Sequence, residues 1–341
     1  MEFVVYSQWS QLPDSASLLF AECEKDSLFF SRIWLENLTA HALADHQSIR
    51  LICVVEGETI LAILPMIESS RDGLRALSNH FTTLYSLLIF NHSQQDAVMT
   101  CMAKGLSRMS VSAIRLEPID VSDSNMIKLS QCMEACGFKS HYYFRFYNWR
   151  HPVNGQSFNE YMAERPANIQ NMIKRKQRKL EREQEYEIRL YQNLQIDRAL
   201  ADYQEVYLAS WKANEYFTDF TPSLVHRLSE MGWLRLAILY IEEKPVAAQI
   251  WVVVHGKANI YRLAYDQRWK NYSPGSILTQ YLMRHVIDTD KVVEIDFLTG
   301  NERYKQDWMS VQKELAGTHF VKELSEINWF GQIIKLFMSK R

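Results

Sequence analysis

The chain has 341 residues, of which 47% are hydrophobic and 12% aromatic, and its formal net charge is -2. This length suits two domains of about 150 residues each, and the hydrophobic content excludes an intrinsically disordered chain. The small negative charge gives no overall attraction to nucleic acid. The five cysteines are scattered without a C-x-x-C pair, which is typical of a reduced, cytoplasmic protein.

The first residues, MEFVVYSQWSQLPDS, lack the basic segment and the apolar core of a signal peptide. No apolar run of about eighteen residues follows, so we expect no membrane-spanning helix.

Two stretches of the chain predict matching β-hairpins. Residues 50–65, RLICVVEGETILAILP, read as strand, acidic turn and strand, and residues 235–254, RLAILYIEEKPVAAQIWVVV, repeat that order. An aromatic helical stretch precedes each hairpin, and a helix and a strand follow it. We therefore predict a tandem duplication of an α/β unit, with domains at residues 1–150 and 151–341.

A basic helix is predicted shortly after the joint between the halves, which lies in residues 147–157 where proline, asparagine and glycine cluster. Residues 167–189 contain no glycine or proline, and helix formers dominate. Six of the residues from Lys174 to Arg182 are basic. They fit a solvated face, a contact with a phosphate-bearing ligand or an acidic carrier protein, or a nucleic-acid contact.

The strongest functional signal lies in residues 261–308. A strand leads to Ser273-Pro274-Gly275, a sequence that suits an N-cap, a first helical residue and a close backbone approach. A helix start beside a strand end favours a bound phosphate. A buried-strand run follows at residues 292–298 and contains Asp296, a carboxylate that needs a partner or a purpose in such a run.

The order of these motifs resembles the GNAT acyltransferase superfamily, specifically its branch associated with cellulose and exopolysaccharide biosynthesis, which is related to the FemAB-type transferases. The matching residues are Ala264-Tyr265-Asp266, Ser273-Pro274-Gly275, Asp296-Phe297, Gly300, Glu302, Tyr304-Lys305 and Trp308. The resemblance implies an α/β (α+β) fold of two tandem GNAT-like domains, each a mixed, mostly antiparallel sheet flanked by helices. The first half has no glycine or proline at residues 90–93, where its helix opens, so we expect the second half to bind the donor.

The resemblance implies that the loop and helix start hold the pyrophosphate of an acyl-CoA. The expected donor-binding residues are Tyr272, Ser273, Pro274, Gly275, Ser276 and Ile277. Acyl-CoA would be a co-substrate, with acyl carrier protein as the alternative donor, and no tightly bound cofactor and no metal are expected. FemAB-type relatives use aminoacyl transfer RNA, so transfer RNA remains a third donor, although the slightly acidic chain disfavours nucleic acid.

Acyl transfer from a thioester requires a base for the acceptor, a stabilised oxyanion and an acid for the departing thiolate. Asp296 or Glu302 is suited to accept the proton, and Tyr304 is suited to protonate the thiolate. Lys305 is suited to pair with a phosphate or to orient a carboxylate. In the structural alternative, Asp296 and Lys305 form a buried ion pair.

Four further residues are candidates for binding the acceptor. Trp211 looks like the family's helix aromatic facing the acceptor cleft, with Lys212 beside it, and Tyr265 and Asp266 end the preceding strand. Core packing and turn capping are the structural alternatives. The expected acceptor is an amine or hydroxyl of a sugar, a polysaccharide precursor or a related small molecule. A non-catalytic scaffold protein of a polysaccharide assembly is the competing hypothesis.

Near the end of the chain, apolar residues recur at helical spacing, with basic residues nearby. The apolar residues are Ile327, Phe330, Ile333, Ile334 and Phe337. This pattern predicts a terminal helix packed on its own domain. Peripheral contact with a membrane surface is the alternative.

Overall fold

The computed structural model of the protein describes residues 1–69, 73–90, 94–213 and 215–322. Its helices are α1 (Ala16–Cys23), α2 (Arg32–His41), α3 (Gln95–Arg108), α4 (Ser124–Ala135), α5 (Phe158–Ala163), α6 (Ala167–Glu183), α7 (Ile196–Leu208), α8 (Phe220–Glu230), α9 (Pro274–Asp288) and α10 (Arg303–Trp308). Its strands are β1 (Glu2–Tyr6), β2 (Gln47–Glu56), β3 (Thr59–Ser69), β4 (Gly73–Ala76), β5 (Leu88–Ile89), β6 (Ala113–Asp120), β7 (Phe138–Pro152), β8 (Tyr186–Tyr191), β9 (Leu234–Ile241), β10 (Lys244–Val254), β11 (Lys257–Tyr265), β12 (Glu294–Thr299) and β13 (Val311–Lys322).

Two predicted features lie outside the described residues. They are the terminal helix with Ile327, Phe330, Ile333, Ile334 and Phe337, and residues 91–93 before α3.

The described residues form two compact units. The first unit comprises Met1–Cys23, Leu43–Arg145 and the described residues from Leu315 onward, and the second comprises Glu24–Ala42 and Phe146–Glu314. These units differ from the contiguous halves 1–150 and 151–341 because two segments are exchanged. One of them carries α2, which packs against α8 in the second unit, with the rings of Trp34 and Phe220 centred 5.6 Å apart.

In the first unit the strands are ordered β1-β2-β3-β4-β6-β13, and β5 pairs with β3. All neighbours are antiparallel except β4 and β6, which pair in parallel at Leu74–Arg75 and Ile114–Arg115. Helices α3 and α4 contribute buried residues to the core of this unit, including Met102, Leu106 and Leu129.

In the second unit the strand order is β7-β12-β11-β10-β9-β8. Neighbours are again antiparallel, with the single parallel pair β11 and β12. Helix α9 buries Ile277, Leu278 and Leu282 in the core of this unit, where they meet Trp251 and Phe297.

The two units repeat one element order. A hairpin is followed by a third strand, a helix and a strand parallel to the third one: β2-β3-β4-α3-β6 in the first unit and β9-β10-β11-α9-β12 in the second. In each unit a further antiparallel strand flanks the parallel pair, β13 beside β6 in the first and β7 beside β12 in the second. The predicted mixed, mostly antiparallel sheets flanked by helices are confirmed.

Both predicted hairpins are confirmed. Gly57 turns the first with φ +60°, and Glu242 and Glu243 turn the second with φ of 48° and 64°, the positive pair of a type I′ turn. The helix predicted at 167–189 is too long, because α6 ends at Glu183 and β8 follows. Pairing of β8 with β9 outweighs the local helix propensity, as tertiary contacts commonly do.

Candidate functional site

The candidate site lies where the parallel pairing in the second unit ends. Strands β11 and β12 pair only over Lys257–Asn259 and Glu294–Asp296. Beyond these residues β11 runs on to Tyr265 beside β10, and β12 reaches Thr299 beside β7. Open α/β sheets bind ligands at the carboxyl ends of such strands, and every site residue predicted from the sequence lies in this unit.

Helix α9 begins beside these strand ends as the sequence predicts. Ser273 is the N-cap with left-handed backbone angles, and Pro274 is the first helical residue. The Ser273 side chain makes no capping hydrogen bond, while its carbonyl accepts from the N–H groups of Ser276 and Ile277 at 3.1 and 3.2 Å. A phosphate here would therefore be attracted mainly by the helix dipole.

A buried glutamine fixes the first turn of α9 to the sheet. Gln249 of β10 is fully buried, and its Nε2 donates to the Gly275 carbonyl at 2.9 Å and to Thr279 Oγ1 at 2.8 Å. Its Oε1 accepts from Trp251 Nε1 at 2.8 Å. Gln249 was missed at the sequence level, where the only signal was a lone amide inside an apolar strand.

Gly275 allows close packing of α9 against the sheet, in addition to the close backbone approach predicted from the sequence. A Cβ placed on it would lie 3.2 Å from Tyr265 Cδ1 and 3.5 Å from Leu263 Cδ1, so the glycine lets α9 lie close against β11. The residue is buried. The helix start is consequently not a free surface that tolerates a side chain at this position.

Tyr272 ends the 3-10 turn Gln267–Tyr272 that precedes α9. Its hydroxyl donates to Glu183 Oε2 at 3.2 Å, and Lys179 Nζ lies 4.8 Å from the centre of its ring. These contacts tie the predicted donor loop to α6.

The predicted acceptor residues Trp211 and Tyr265 are brought together. Trp211 lies beyond the end of α7, in an irregular segment rather than on the predicted helix. Its ring is 49% exposed, and the ring centre lies 4.7 Å from that of Tyr265. Since Tyr265 also contacts Gly275, an exposed aromatic surface reaches the start of α9.

Lys212 lies beside this aromatic pair, with its Nζ 6.0 Å from the ring centres of both Trp211 and Tyr207. Burial and then the charge of Arg262 lower the pKa of Lys212 to about 8, against the opposing charges of Glu215 and Glu302. A lysine with this pKa is a mixture of charged and neutral forms near neutral pH. It can hold an anionic group or exchange a proton.

A polar cluster below Lys212 was missed by the sequence reasoning. Arg262 of β11 pairs with Glu215 at 2.9 Å, and Glu215 also accepts from Thr221 Oγ1 at 3.1 Å. Tyr203 and Tyr261 are buried around this pair, and burial raises the pKa of both phenols. An arginine between Tyr261 and Leu263 in the second half of β11 was the available signal.

Asp296 lies on β12 with polar but uncharged partners. Its Oδ1 accepts from Asn148 Nδ2 at 2.5 Å and from the Leu298 N–H at 2.6 Å. Burial raises the pKa of Asp296 to about 6, although both hydrogen bonds oppose this rise. Leu298 has φ +53°, a strained backbone at the point where the carboxylate is held.

Lys305 does not form the ion pair with Asp296 that the structural alternative suggested. It is 3% exposed, and its Nζ donates to the carbonyls of Phe297, at 2.9 Å, and Thr299. Its carboxylate partner is Glu302, at 3.4 Å. The carbonyls of Phe297 and Thr299 are nearer acceptors than Asp296, so Lys305 ties the end of β12 to α10.

Glu302 and Tyr304 are the most accessible residues of the predicted motif. The Glu302 side chain is 59% exposed, and Gly300, with φ +125°, leaves room for it because a Cβ there would lie 2.2 Å from Glu302 Oε2. Tyr304 is 40% exposed. Burial, followed by the charge of Glu302, raises the pKa of Tyr304, so its hydroxyl keeps its proton.

Asp266 acts as a turn cap. Its Oδ1 accepts from the Arg268 N–H at 2.9 Å, and its Oδ2 accepts from Arg268 Nη2 at 2.6 Å. Burial favours a raised pKa for Asp266, but the hydrogen bonds and charge of Arg268 lower it below the ordinary value. Both oxygens are thus engaged within the turn.

The described parts of the chain contain no group of three or more histidine, cysteine, aspartate or glutamate residues that could hold a metal ion. Within these same ranges, no helix is long and apolar enough to cross a membrane.

Comparison with known families agrees with this geometry. Residues 167–306, from α6 into α10, match the family model described as acetyltransferase (GNAT) domain. Among curated proteins, none matches the chain.

Solved structures share the fold at low sequence identity. The chain is similar to a crystal structure of FemX, with a TM-score of 0.62 and 8% identity, covering 93% of this chain and 97% of that one. L-PGS from Bacillus licheniformis gives a TM-score of 0.52 and 11% identity, with 90% and 96% covered. A tandem GNAT protein from the clavulanic acid biosynthesis pathway gives 0.51 and 9%, with 95% and 99% covered. The protein thus has a GNAT-type fold in tandem.

Proposed function

We propose that the protein is an acyltransferase that moves an acyl group from a thioester donor to an amine or hydroxyl. The observation that carries this proposal is the start of α9 beside the aromatic pair of Trp211 and Tyr265, with a carboxylate of raised pKa on β12 at the point where β11 and β12 stop pairing. The match of residues 167–306 to an acetyltransferase domain supports it.

In this proposal the start of α9 binds the phosphates of the donor, and residues 272–277 form that binding segment. Trp211 and Tyr265 pack against the acceptor, and Lys212 binds an anionic group of the bound molecules. Asp266 contributes by fixing the turn before α9, since both of its oxygens bond Arg268.

The chemical step needs a base and an acid. Asp296, with a pKa of about 6, accepts the proton of the acceptor as its nitrogen or oxygen attacks the thioester carbonyl, and Glu302 is the alternative base. The carbon–sulfur bond then breaks, and Tyr304 protonates the thiolate. Tyr304 is in the protonated form that this role requires, although burial raises its pKa and makes it a weaker acid. Lys305 positions the end of β12 through its bonds to Phe297 and Thr299.

The acceptor that we propose is a sugar, a polysaccharide precursor or a related small amine, which suits an exposed aromatic surface beside a lysine. We further propose that the protein belongs to the GNAT branch associated with cellulose and exopolysaccharide biosynthesis, and that it acts in the cytoplasm.

The proposal is tested by release of free thiol from a series of acyl-CoAs in the presence of an acceptor panel. We expect turnover that falls at least a hundredfold in Asp296→Asn or Tyr304→Phe, with melting temperatures that show folded variants. Absence of thiol release with every donor and acceptor would favour the non-catalytic scaffold hypothesis.

A second candidate is aminoacyl transfer from transfer RNA, favoured by the basic surface of α6 beside the donor segment. Filter binding with charged transfer RNA at low salt tests it, because phosphate contacts are strongest there. Lack of retention under these conditions would exclude this candidate.

A further inference from the structure

Helix α6 presents a cationic face formed by Lys174, Arg175, Arg178, Lys179 and Arg182, which line one surface groove with Asn171. Lys174, Arg175 and Arg178 make no hydrogen bond or ion pair with any residue in the described ranges. Glu183 pairs with Lys179 at 3.8 Å and with Arg182 at 2.6 Å. The chain as a whole carries a charge of -2, so this face is a local concentration of positive charge.

The opposite side of α6 is fixed in place. Ile169, Ile173 and Leu180 are buried in the core of the second unit. Lys176 Nζ donates to the Asn271 carbonyl at 2.5 Å, immediately before the donor segment that begins at Tyr272. The cationic face is therefore held beside that segment.

The shape of the face favours a linear acidic partner over a small anion. From Lys174 to Arg182 the helix rises about 12 Å, and a single helix supplies the whole lining, so the charges form a row rather than a closed phosphate pocket. None of the lining residues is aromatic or aliphatic. The face thus lacks the stacking surface that single-stranded nucleic acid uses and the apolar residues that an interfacial membrane helix inserts.

We propose that the cationic face docks an acidic helix of a carrier protein that delivers the acyl thioester. This inference rests on the proposed acyl transfer and names the partner that brings the donor. The reaction is unchanged: the acceptor attacks the carbonyl, the carbon–sulfur bond breaks, and the carrier's own thiol leaves and takes up the proton. Complementary charge on the two surfaces steers the encounter and fixes its orientation.

The test compares two donors on three proteins. The probes are an acidic bacterial acyl carrier protein loaded with an octanoyl group, and octanoyl-CoA. The proteins are the wild type, the double variant Arg175→Glu/Arg178→Glu, and Arg198→Glu, which reverses an exposed charge on α7 as the matched control. Fluorescence anisotropy gives the Kd of the carrier protein, and thiol release gives kcat/KM for each donor.

We expect the double variant to weaken carrier binding about tenfold to thirtyfold, because two exposed attractions become repulsions. The difference in Kd between the wild type and the double variant should shrink at 0.5 M salt, where the Debye length is only about 3–5 Å. Turnover of octanoyl-CoA should stay within twofold, and Arg198→Glu should match the wild type with both donors. Lys174→Gln/Arg178→Gln, which removes charge without reversing it, should give a smaller loss and guards against a folding defect in the double variant.

Carrier binding that is absent in the wild type, or equal in the wild type and both α6 variants, would overturn the docking proposal even if octanoyl-CoA is turned over. Transfer RNA or anionic vesicles binding through the same residues, with no carrier binding, would overturn it in favour of those partners. Carrier binding that depends on the face, without thiol release from either donor, would support docking and defeat the acyl-transfer proposal.

Discussion

The two repeats end their parallel strand differently. In the first unit, Glu117 of β6 pairs with Arg145 at 3.3 Å and accepts a hydrogen bond from the Tyr143 hydroxyl. In the second unit, Asp296 of β12 has an amide and a backbone N–H as its hydrogen-bond donors, and burial raises its pKa to about 6. Glu117 is thus held in an ion pair, which suits a structural role. Asp296 has no ion-pair partner among the described residues, and its raised pKa makes it the strand-end group that we propose for chemistry.

Removing each carboxylate in turn is the most direct test of whether the two strand ends have different roles. We expect Asp296→Asn to lower kcat about a hundredfold to ten-thousandfold, the contribution typical of a general base, while Glu117→Gln stays within twofold. The wild-type rate should rise with pH through about 6, because the base must lose its proton, and this limb should vanish in Asp296→Asn. Steady-state rates from pH 5 to 8 measure both effects. Equal losses in the two variants would mean that both strand ends are structural.

The two repeats also differ in how tightly a helix glycine is packed, which should change the cost of replacing it. A Cβ on Gly105 of α3 would lie 1.9 Å from the ring of Phe3, whereas one on Gly275 of α9 would lie 3.2 Å from Tyr265. We expect Gly105→Ala to lower the free energy of unfolding by about 1–3 kcal/mol, the usual cost of overpacking, and Gly275→Ala to cost less. Denaturant titrations measure this.

Gly275→Ala should nevertheless reduce activity, since Tyr265 must move. A crystal structure of Gly275→Ala in which the Tyr265 ring has shifted, together with full activity, would remove this aromatic residue from the site.

Local patterns in the sequence predicted much of this fold. The two hairpins and the Ser273-Pro274 helix start depend on residues close together in the chain, and the structure has them. The exchange of α2 and of β13 depends on contacts between distant segments, such as Trp34 with Phe220. No local pattern encodes those contacts, and β8 was assigned to a helix for the same reason.

The sequence predicted which residues would be candidates for the site, but it did not predict their hydrogen-bond partners. Asp296, Lys305 and Trp211 were identified as candidates because charged or aromatic residues stood in informative positions. Their partners were not, because Asn148 lies 148 residues from Asp296 in sequence and Lys305 bonds backbone carbonyls that carry no sequence signal. Gln249 and Arg262 were overlooked because each stands between apolar or aromatic neighbours in its strand, without a motif around it.

The raised pKa of Asp296 also predicts a stability effect opposite in sign to its effect on activity. The folded pKa of about 6 lies above the unfolded value of about 3.9, so the folded state binds the proton more tightly. Stability from this group is therefore present below about pH 4 and is lost as pH rises towards 6. Asp296→Asn should lack this loss, so at pH 7 its free energy of unfolding should exceed that of the wild type by on the order of 1 kcal/mol and its melting temperature should be higher. Thermal melts at pH 4 and pH 7 for both proteins check the sign.

The smallest effect concerns Lys212, which lies beside the aromatic pair of the second unit. Its pKa of about 8 means that the ammonium is lost as pH rises through 8, whereas an arginine stays charged. If Lys212 binds an anionic group of the donor or acceptor, the KM of the wild type should rise several-fold between pH 7 and pH 9. Lys212→Arg should keep KM flat across that range, and Lys212→Met should show the high value throughout. A KM that rises equally in the wild type and Lys212→Arg would assign the titration to another group and leave Lys212 as a packing residue over Tyr207 and Trp211.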